Sequence, residues 1–345
     1  MGLRTFYTVR AELRAARELA EQLLGLAEQA QDPALLLQAR RALGANLFYL
    51  GELVPARAQL DQALALYDPL QHRSHAFVYG LEPGVQGLAL IAMDLWMLGY
   101  PDQACTRSQE ALALAQTPSH PSDSADALIA AAEVRLFRGE VQAAHDLAQA
   151  LVALATDFGL PYGLACGTLL SGCALAAGSH VEEGIGLIQK GLSAHRETGA
   201  ELQRPHFLAL LAQTCARAGQ VEAGLAAVDE ALAIVEHTDE RLHESELHRL
   251  KGELTLQEAG SVREASEDVR EAEACFLRAI AIARRKDARS LELRAVVALS
   301  RLWQQRGWHA EARSLLRETY GWFSEGFDTV DLREARALLV NLGEP

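Results

Sequence analysis

The chain has 345 residues, of which 50% are hydrophobic and only 6% aromatic, and its formal net charge is −14. Ala and Leu supply most of the apolar content, and both are strong helix formers, so a large β-sheet is not expected. The negative charge disfavours nucleic acid and anionic membranes as partners, because phosphates repel an acidic surface.

The N-terminal segment is too short for a complete helix pair, so we expect a truncated first hairpin over residues 1–30. An unfinished hairpin exposes apolar surface, which predicts a homodimer through this end. The segment has no apolar core of signal-peptide length. The longest apolar run of the chain is also too short to cross a bilayer. We therefore expect a cytoplasmic protein without a membrane partner.

A small residue recurs along the chain at intervals of 40 or 48 residues. It lies near the start of the second helix of each predicted helix–turn–helix pair, where a small side chain lets two backbones approach. A glycine often stands five positions earlier and suits a left-handed helix end. The recurring residues are Ala16, Ala56, Ala104, Ala144, Gly184, Gly224, Ala272 and Ala312.

This pattern resembles the tetratricopeptide repeat, although its period of about 40 residues is longer than the usual one. Each unit has an apolar face that only its neighbours can cover. The sequence therefore predicts an all-α, tetratricopeptide-like, right-handed superhelical solenoid. It should contain about eight helical hairpins and form a single unit over residues 1–345.

Two steps of the repeat are longer by eight residues, which predicts inserts near residues 67–87 and 257–271. The second insert is polar and is expected to be a solvated loop. The first mixes aromatic, histidine and charged residues, as functional loops do, although packing between units is the favoured interpretation. Residues 328–343 predict a closing helix. The candidate site residues of the first insert are Tyr67, His72, Arg73, His75, Tyr79 and Glu82.

The first helices of such hairpins line the concave face, so their inward positions are the predicted partner-binding surface. Trp96, Met93 and Phe137 form a candidate apolar anchor, with packing between hairpins as the alternative. The arginines of the C-terminal half predict a basic tendency that suits the carboxylates of a peptide. The predicted positions are Gln38, Arg41, Tyr49, Gln86, Met93, Trp96, Glu133, Phe137, His206, Gln213, Arg217, Arg249, Glu253, Arg294 and Arg301.

Motifs for catalysis are not found in the sequence. It has no phosphate-binding loop and no CxxC pair, and its five cysteines lie among Ala and Leu, where they are expected to pack as small buried residues. His243 and His248 are five residues apart and so lie on different faces of a helix, which argues against a zinc site. We therefore expect a non-enzymatic protein with no catalytic residue, no metal and no cofactor.

Several longer stretches resemble one family, the C-terminal helical-repeat region of large bacterial signalling proteins. In that family a class III adenylate or guanylate cyclase domain, or another effector, is joined to an AAA-type ATPase module and then to a tetratricopeptide array. The matching stretches are ALYDPLQHRSHAFVYGLEPGV, LWMLGYPDQA, GAELQRPHFLALLAQTCARAGQVEAGL, ELHRLKGEL, EAEACFLRAIAIARR and YGWFSEGFDTVDLREARALL.

The resemblance extends over essentially the whole chain but includes neither the cyclase carboxylates nor the ATPase phosphate loop. It also departs from the family at residues 80–83, where Gln-Asp is more usual between the glycine and the proline. Cyclase and ATPase activities are therefore not transferred to this chain. The resemblance implies a sensory or protein-interaction module that governs catalytic domains normally N-terminal to it.

Three hypotheses follow. The first is a regulatory scaffold that binds a protein or peptide on its concave face. The second is a sensor array for a small molecule or signalling peptide, with a closed pocket near His72, Tyr79 and Trp96. The third, a remote alternative, is an enzyme with its site in the first insert or around His243 and His248.

Overall fold

A computed structural model describes residues 2–72, 81–116, 120–260 and 266–343. The described residues form eighteen α-helices and no strand. Within these ranges, no helix is both long and apolar enough to cross a membrane. The first nine helices are α1 (Gly2–Val9), α2 (Leu13–Ala30), α3 (Pro33–Leu50), α4 (Leu53–Ala65), α5 (Pro69–His72), α6 (Pro83–Leu98), α7 (Pro101–Ala115), α8 (Pro121–Arg138) and α9 (Val141–Asp157). The others are α10 (Pro161–Ala177), α11 (Val181–Glu197), α12 (Arg204–Ala218), α13 (Val221–Thr238), α14 (Glu244–Ala259), α15 (Glu267–Arg285), α16 (Arg289–Gln305), α17 (His309–Tyr320) and α18 (Val330–Asn341).

The helices pair into eight antiparallel hairpins that stack into a right-handed tetratricopeptide-like solenoid, as predicted. The pairs are α1–α2, α3–α4, α6–α7, α8–α9, α10–α11, α12–α13, α14–α15 and α16–α17. The single turn α5 lies before the third pair, and α18 packs on the last pair as the closing helix.

The recurring small residues are the packing joints of the hairpins. All six alanines of the series are at most 1% exposed, and each lies in the first two turns of a second helix. At Gly184 a Cβ atom would stand 2.6 Å from the carbonyl oxygen of Gly172 and 2.7 Å from the Cβ of Ala176, both on the first helix of the pair. The backbones of the pair touch at this point, which explains why the position is occupied by the smallest residues.

The predicted turns are also confirmed. Gly99 ends α6 with φ of +92°, in the left-handed region that favours glycine. Its N–H donates to the Trp96 carbonyl, which closes the helix end. Pro101 then occupies the first position of α7, where its missing N–H leaves no helical bond unmade.

Both inserts are narrower than predicted, because helices extend into them. Residues 83–87 belong to α6, and α5 forms within the first insert. In the second insert, α14 continues to Ala259 and α15 begins at Glu267, capped by the Ser266 hydroxyl. The closing helix is likewise shorter than residues 328–343.

The solenoid closes on itself, so that its C-terminal part packs against the turns of its third and fourth hairpins. We call the polar contacts that join Asp102 and Arg138 to residues 325–328 the clasp. Arg138 donates to Asp102 at 2.7 Å and to Asp328 at 2.9 Å. The Glu325 carboxylate accepts the N–H groups of Asp102 and Gln103 at the start of α7, where a helix favours negative charge.

Helix α1 lies against the interior of the ring. The Val9 carbonyl accepts the backbone N–H groups of Glu201 and Leu202 at 2.9 and 3.2 Å, far along the chain. Leu3 and Phe6 on the same helix are more than half exposed. Dimerisation through this end stays a prediction.

We expect Gly184→Ala to destabilise the fold by about 1–3 kcal/mol, because the new methyl group meets backbone atoms that cannot move aside. Gly186→Ala is the matched control two residues along the same helix, where a Cβ meets nothing within 4 Å. It should be neutral or stabilising by roughly 0.5–1 kcal/mol, since alanine is the better helix former. Urea unfolding followed by circular dichroism measures both. Equal midpoints for the two variants would contradict the joint.

We expect Arg138→Met to loosen the clasp, because it leaves the carboxylates of Asp102 and Asp328 without their shared cation. The radius of gyration from small-angle X-ray scattering should rise, and the unfolding midpoint should fall. Arg135→Met is the control, since Arg135 pairs with Glu140 at the turn of its own hairpin. A variant as compact as the wild type would show that the clasp does not hold the ring closed.

Candidate binding site

The first helices of the hairpins enclose two spaces on the inner side of the ring. The larger, which we call the C-terminal groove, has a volume of about 750 Å³ and is walled by α8, α10, α12, α14, α16 and α18. The smaller, the inner cavity, has a volume of about 240 Å³ and is walled by α1, α3, α6, α8, Tyr162 of α10 and the residues around the starts of α12 and α14. The predicted concave-face residues divide between these spaces.

Seven of the residues predicted to face a partner line the C-terminal groove. They come from four first helices, and these helices turn the predicted positions towards the groove. The prediction that its arginines make it basic is wrong, however. Three of the four arginines meet carboxylates, which neutralise them. The seven are Phe137, Gln213, Arg217, Arg249, Glu253, Arg294 and Arg301.

The central arginines of the groove are held in a buried ion network. Arg249 contacts Glu246 at 2.7 Å and Glu253 at 2.5 Å, and Arg294 contacts Asp331 at 2.7 Å and Glu246 at 3.3 Å. Burial opposes ionisation of Glu246, but Arg249 and Arg294 outweigh it and lower the pKa of Glu246 to about 2. These charges are paired with one another and form the floor of the groove, so they are not free to bind a charged ligand.

The groove also has solvent-facing cations near its rim. Arg301 is exposed and contacts Glu334 at 2.9 Å, with both side chains about half exposed, so the pair is weak and readily exchanged. Arg217 is exposed on the opposite wall, on α12. These two arginines are the groove cations most available to a partner.

Five other predicted residues line the inner cavity. They come from three successive first helices and from α12, as the repeat register requires. Glu133 meets the Nε2 atom of His206 at 3.1 Å, and both are almost fully buried. The five are Tyr49, Gln86, Met93, Glu133 and His206.

An aromatic partition, formed by Trp96, Phe137 and Arg294, stands between the groove and the cavity. The two rings stack with centroids 4.1 Å apart, and the Arg294 guanidinium lies 4.8 Å from the Trp96 ring centre. The crevice at this point has a volume of about 20 Å³, room for one water. Trp96 is 2% exposed, so the predicted anchor for a partner is wrong and the alternative, packing between hairpins, holds.

Two predicted residues are enclosed in the wall. Arg41 is 2% and Gln38 1% exposed, and the Gln38 amide oxygen accepts from the Arg41 guanidinium at 3.2 Å. Gln86 also accepts from Arg41. Burial lowers the pKa of Arg41 to about 9. Arg41 is therefore a wall residue and is not available to a partner, because neighbouring hairpins cover it.

The described residues of the first insert are structural. His72 is buried, and its Nδ1 accepts the Asp68 N–H at 3.0 Å. Glu82 caps α6 by accepting the Val85 N–H. The Tyr67 ring packs on the helix that follows, against Gly84. Three candidates of this insert lie outside the described residues: Arg73, His75 and Tyr79.

A closed pocket was expected near His72, Tyr79 and Trp96, but the lining of the inner cavity includes neither His72 nor Trp96. It does include His243, whose ring stacks on that of His206 at 4.1 Å, whereas His248 is buried outside it. Among the described residues, no group of three or more His, Cys, Asp or Glu is placed to hold a metal ion.

The prediction missed four titratable residues of the cavity besides His243. Asp126 lies seven residues before Glu133, so the helical register of α8 was the signal for it. Arg4 lies on α1, which was assigned to a truncated hairpin, and Tyr162 and Glu240 lie at or before a helix start, where the first-helix register does not extend.

Burial controls the charges of the cavity. It raises the pKa of Glu240 to about 8, against the stabilising N–H of Gln203, and it raises the pKa of Asp126 to about 7, with Asp123 adding to the effect. Burial also lowers the pKa of His243 well below its usual value, helped by His206. Burial therefore favours the protonated, neutral forms of Glu240 and Asp126 and the neutral form of His243.

The chain is similar to known proteins mainly in fold. No protein-family model matches it. An uncharacterized protein of Rhizobium meliloti (strain 1021) is 25% identical over 255 residues, which is 74% of this chain and 25% of that protein. The chain thus spans about a quarter of the length of this relative.

Solved structures place the fold among tetratricopeptide-like repeat proteins. A Rap protein complexed with competence and sporulation factor has a TM-score of 0.61 at 13% identity, with 99% of this chain and 96% of that chain covered. Aspartyl phosphate phosphatase F of Bacillus subtilis has a TM-score of 0.54 at 11% identity, covering 91% and 76%. A signal transduction ATPase with numerous domains from Pyrococcus horikoshii, which has a tetratricopeptide repeat sensor, has a TM-score of 0.52 at 12% identity, covering 94% and 49%. At these identities the similarity establishes the fold alone.

The raised pKa of Glu240 predicts a pH-dependent stability. The folded state holds the Glu240 proton more tightly than the unfolded state, so this stabilisation is complete below about pH 4.5 and is lost as the pH rises towards 8. Glu240→Gln keeps an acceptor for the Gln203 N–H without the charge. Its melting temperature should therefore rise relative to the wild type between pH 5 and pH 8. Glu236→Gln, exposed on α13, is the control and should show no such trend. If the difference in melting temperature between Glu240→Gln and the wild type did not change with pH, the raised pKa of Glu240 would be contradicted.

Proposed function

We propose that this chain is a non-catalytic regulatory module that binds an extended peptide or protein segment in the C-terminal groove. The observation that carries the proposal is the groove itself, about 750 Å³ in volume and lined from five consecutive first helices and the closing helix. A groove of this size is in the range of ligand sites and exceeds what an unfilled packing defect needs.

The chemistry of the groove suits a peptide backbone. The Gln213 and Gln257 amides can each donate to and accept from main-chain groups, and Arg217 and Arg301 can bind carboxylates in a bidentate manner. Leu210 and Val297 add apolar surface between them. The groove therefore favours a mixed peptide with acidic side chains or a free carboxyl end over a purely acidic or apolar one.

The fold comparison supports a regulatory module that binds a signalling factor. The Rap protein, which matches over nearly the full length of both chains, is in complex with competence and sporulation factor. The Pyrococcus protein has its repeat array as a sensor in a signal transduction ATPase. We extend both by proposing a sensory role for this chain in bacterial signalling.

We further propose that the array acts on catalytic domains of a larger assembly. The length of the Rhizobium meliloti relative, about four times the matched stretch, supports an array that is one part of a long chain. The resemblance to cyclase- and ATPase-linked arrays names the class of effector. The clasp supports a means of transmission, since a ring that opens alters the spacing of its ends.

We expect the groove to select peptides from a random dodecapeptide display library, and the Arg217→Glu, Arg301→Glu double variant to bind the selected peptides at least about tenfold more weakly. Fluorescence polarisation of labelled peptides gives the dissociation constants. Both side chains are exposed, so the fold should be retained.

The matched control is Arg107→Glu with Arg336→Glu. Arg336 is exposed, the Arg107 side chain is 38% exposed, and both lie outside the groove lining. The control changes the net charge by the same amount. It should leave the affinity within about twofold of the wild type. Equal losses in both double variants, or no enrichment over bare resin, would count against the groove as the binding site.

A further inference from the structure

The inner cavity is distinct from the C-terminal groove and has an unusual charge arrangement. Its walls contain a buried cation on one side and buried carboxylates from other hairpins, and these are not paired with one another. Arg4 is 5% exposed and Glu240 is 1% exposed. Buried charges normally occur in pairs, because leaving water is costly for each of them.

The Arg4 guanidinium is bound only to neutral groups at its terminal nitrogens. They donate to the hydroxyls of Thr8 at 3.4 Å and Thr5 at 3.0 Å, and its Nε–H has no acceptor in the described part of the chain. Burial lowers the pKa of Arg4. Arg4 lines the cavity from α1, so an anionic group entering there would meet an unsatisfied donor.

The Glu240 carboxyl group on the cavity wall likewise has no cationic side chain as its partner among the described residues. Both oxygens of Glu240 accept the backbone N–H of Gln203, at 3.0 and 3.1 Å. Asp126, which is bonded to Gln86, is in contrast attracted by the buried Arg41. A cationic group entering the cavity would find acceptors that are already desolvated.

The volume limits the ligand to a small molecule. A cavity of roughly 150 Å³ holds benzene, so 240 Å³ suits about ten non-hydrogen atoms. Apolar side chains complete the lining, among them Phe48, Leu90 and Ile129. A ligand of this size with an apolar body and both charges is an α-amino acid such as leucine or isoleucine.

We propose that the inner cavity binds a free α-amino acid with an apolar side chain, its carboxylate on Arg4 and its ammonium group on Glu240. One zwitterion provides a partner for both Arg4 and Glu240, which a simple amine or a simple acid does not. Because α1 forms a wall of the cavity and is tied to residues 201 and 202, occupancy fixes α1 against the ring. The site is independent of the peptide groove and extends the proposed function to a second ligand.

Isothermal titration calorimetry on the full chain tests the proposal with three matched probes: L-leucine, 3-methylbutylamine and 4-methylpentanoate. Leucine should bind, and each analogue, which lacks one charge, should bind at least about tenfold more weakly. Arg4→Gln and Glu240→Gln should each weaken the binding of leucine by a similar factor. The controls are Arg10→Gln and Glu236→Gln, which change exposed residues near Arg4 and Glu240 in the sequence. They should leave the dissociation constant for leucine within about twofold of the wild-type value.

Several outcomes would overturn the proposal. An amine that binds as tightly as leucine means a cation site, and an acid that does so means an anion site. No heat with leucine, isoleucine or methionine at about 10 mM means that the cavity does not take amino acids. The analogue comparison uses the wild type, so it decides even where a variant fails to fold. The Arg217→Glu, Arg301→Glu variant should keep leucine binding, which separates this proposal from the peptide groove.

Discussion

The close approach of the two helices of each hairpin at its recurring small residue determines the rest of the structure, and in the pair α10–α11 the backbones themselves touch. A Cβ atom at Gly184 would stand 2.6 Å from the carbonyl oxygen of Gly172 on the paired helix. Close approach fixes the distance and crossing of the pair, because ridges of side chains cannot shift once the backbones touch. Eight such joints in the same register rotate successive hairpins by similar amounts, and a right-handed superhelix results.

The curvature of the superhelix then brings distant hairpins together. The hairpin turns after α6 and α8 meet residues 322–330, and Ser290 donates to the Trp96 carbonyl at 2.6 Å. Closure also places the Arg294 guanidinium over the Trp96 ring. The interior is thereby divided into a groove and a cavity. The division is a result of closure and not of any single hairpin, since the partition takes its members from α6, α8 and α16.

This origin explains what the sequence can and cannot predict. The joints, the glycine turns and the inward register of the first helices follow from local periodicity, so the fold and the inward positions of the first helices were predictable. The partners of Arg249 and Arg294 were not all predictable, because Asp331 reaches Arg294 only after closure. Arg41 was predicted to lie on the partner-binding surface, but it is 2% exposed and enclosed in the wall. Its burial depends on the packing of neighbouring hairpins, which periodicity does not describe. Glu240 lies before a helix start, outside the register altogether.

The buried ion network joins the C-terminal groove to the closing helix. Replacing buried ion pairs by apolar residues often leaves stability unchanged or raises it, so their presence calls for another reason. Arg294 contacts Glu246 on α14 and Asp331 on α18, stacks on Trp96, and lines the groove. The same α18 begins two residues after Asp328 of the clasp. A peptide carboxylate that drew Arg294 away from Asp331 would therefore act on the helix that follows the clasp. Under the proposed function, binding in the groove and opening of the ring would be connected through this one side chain.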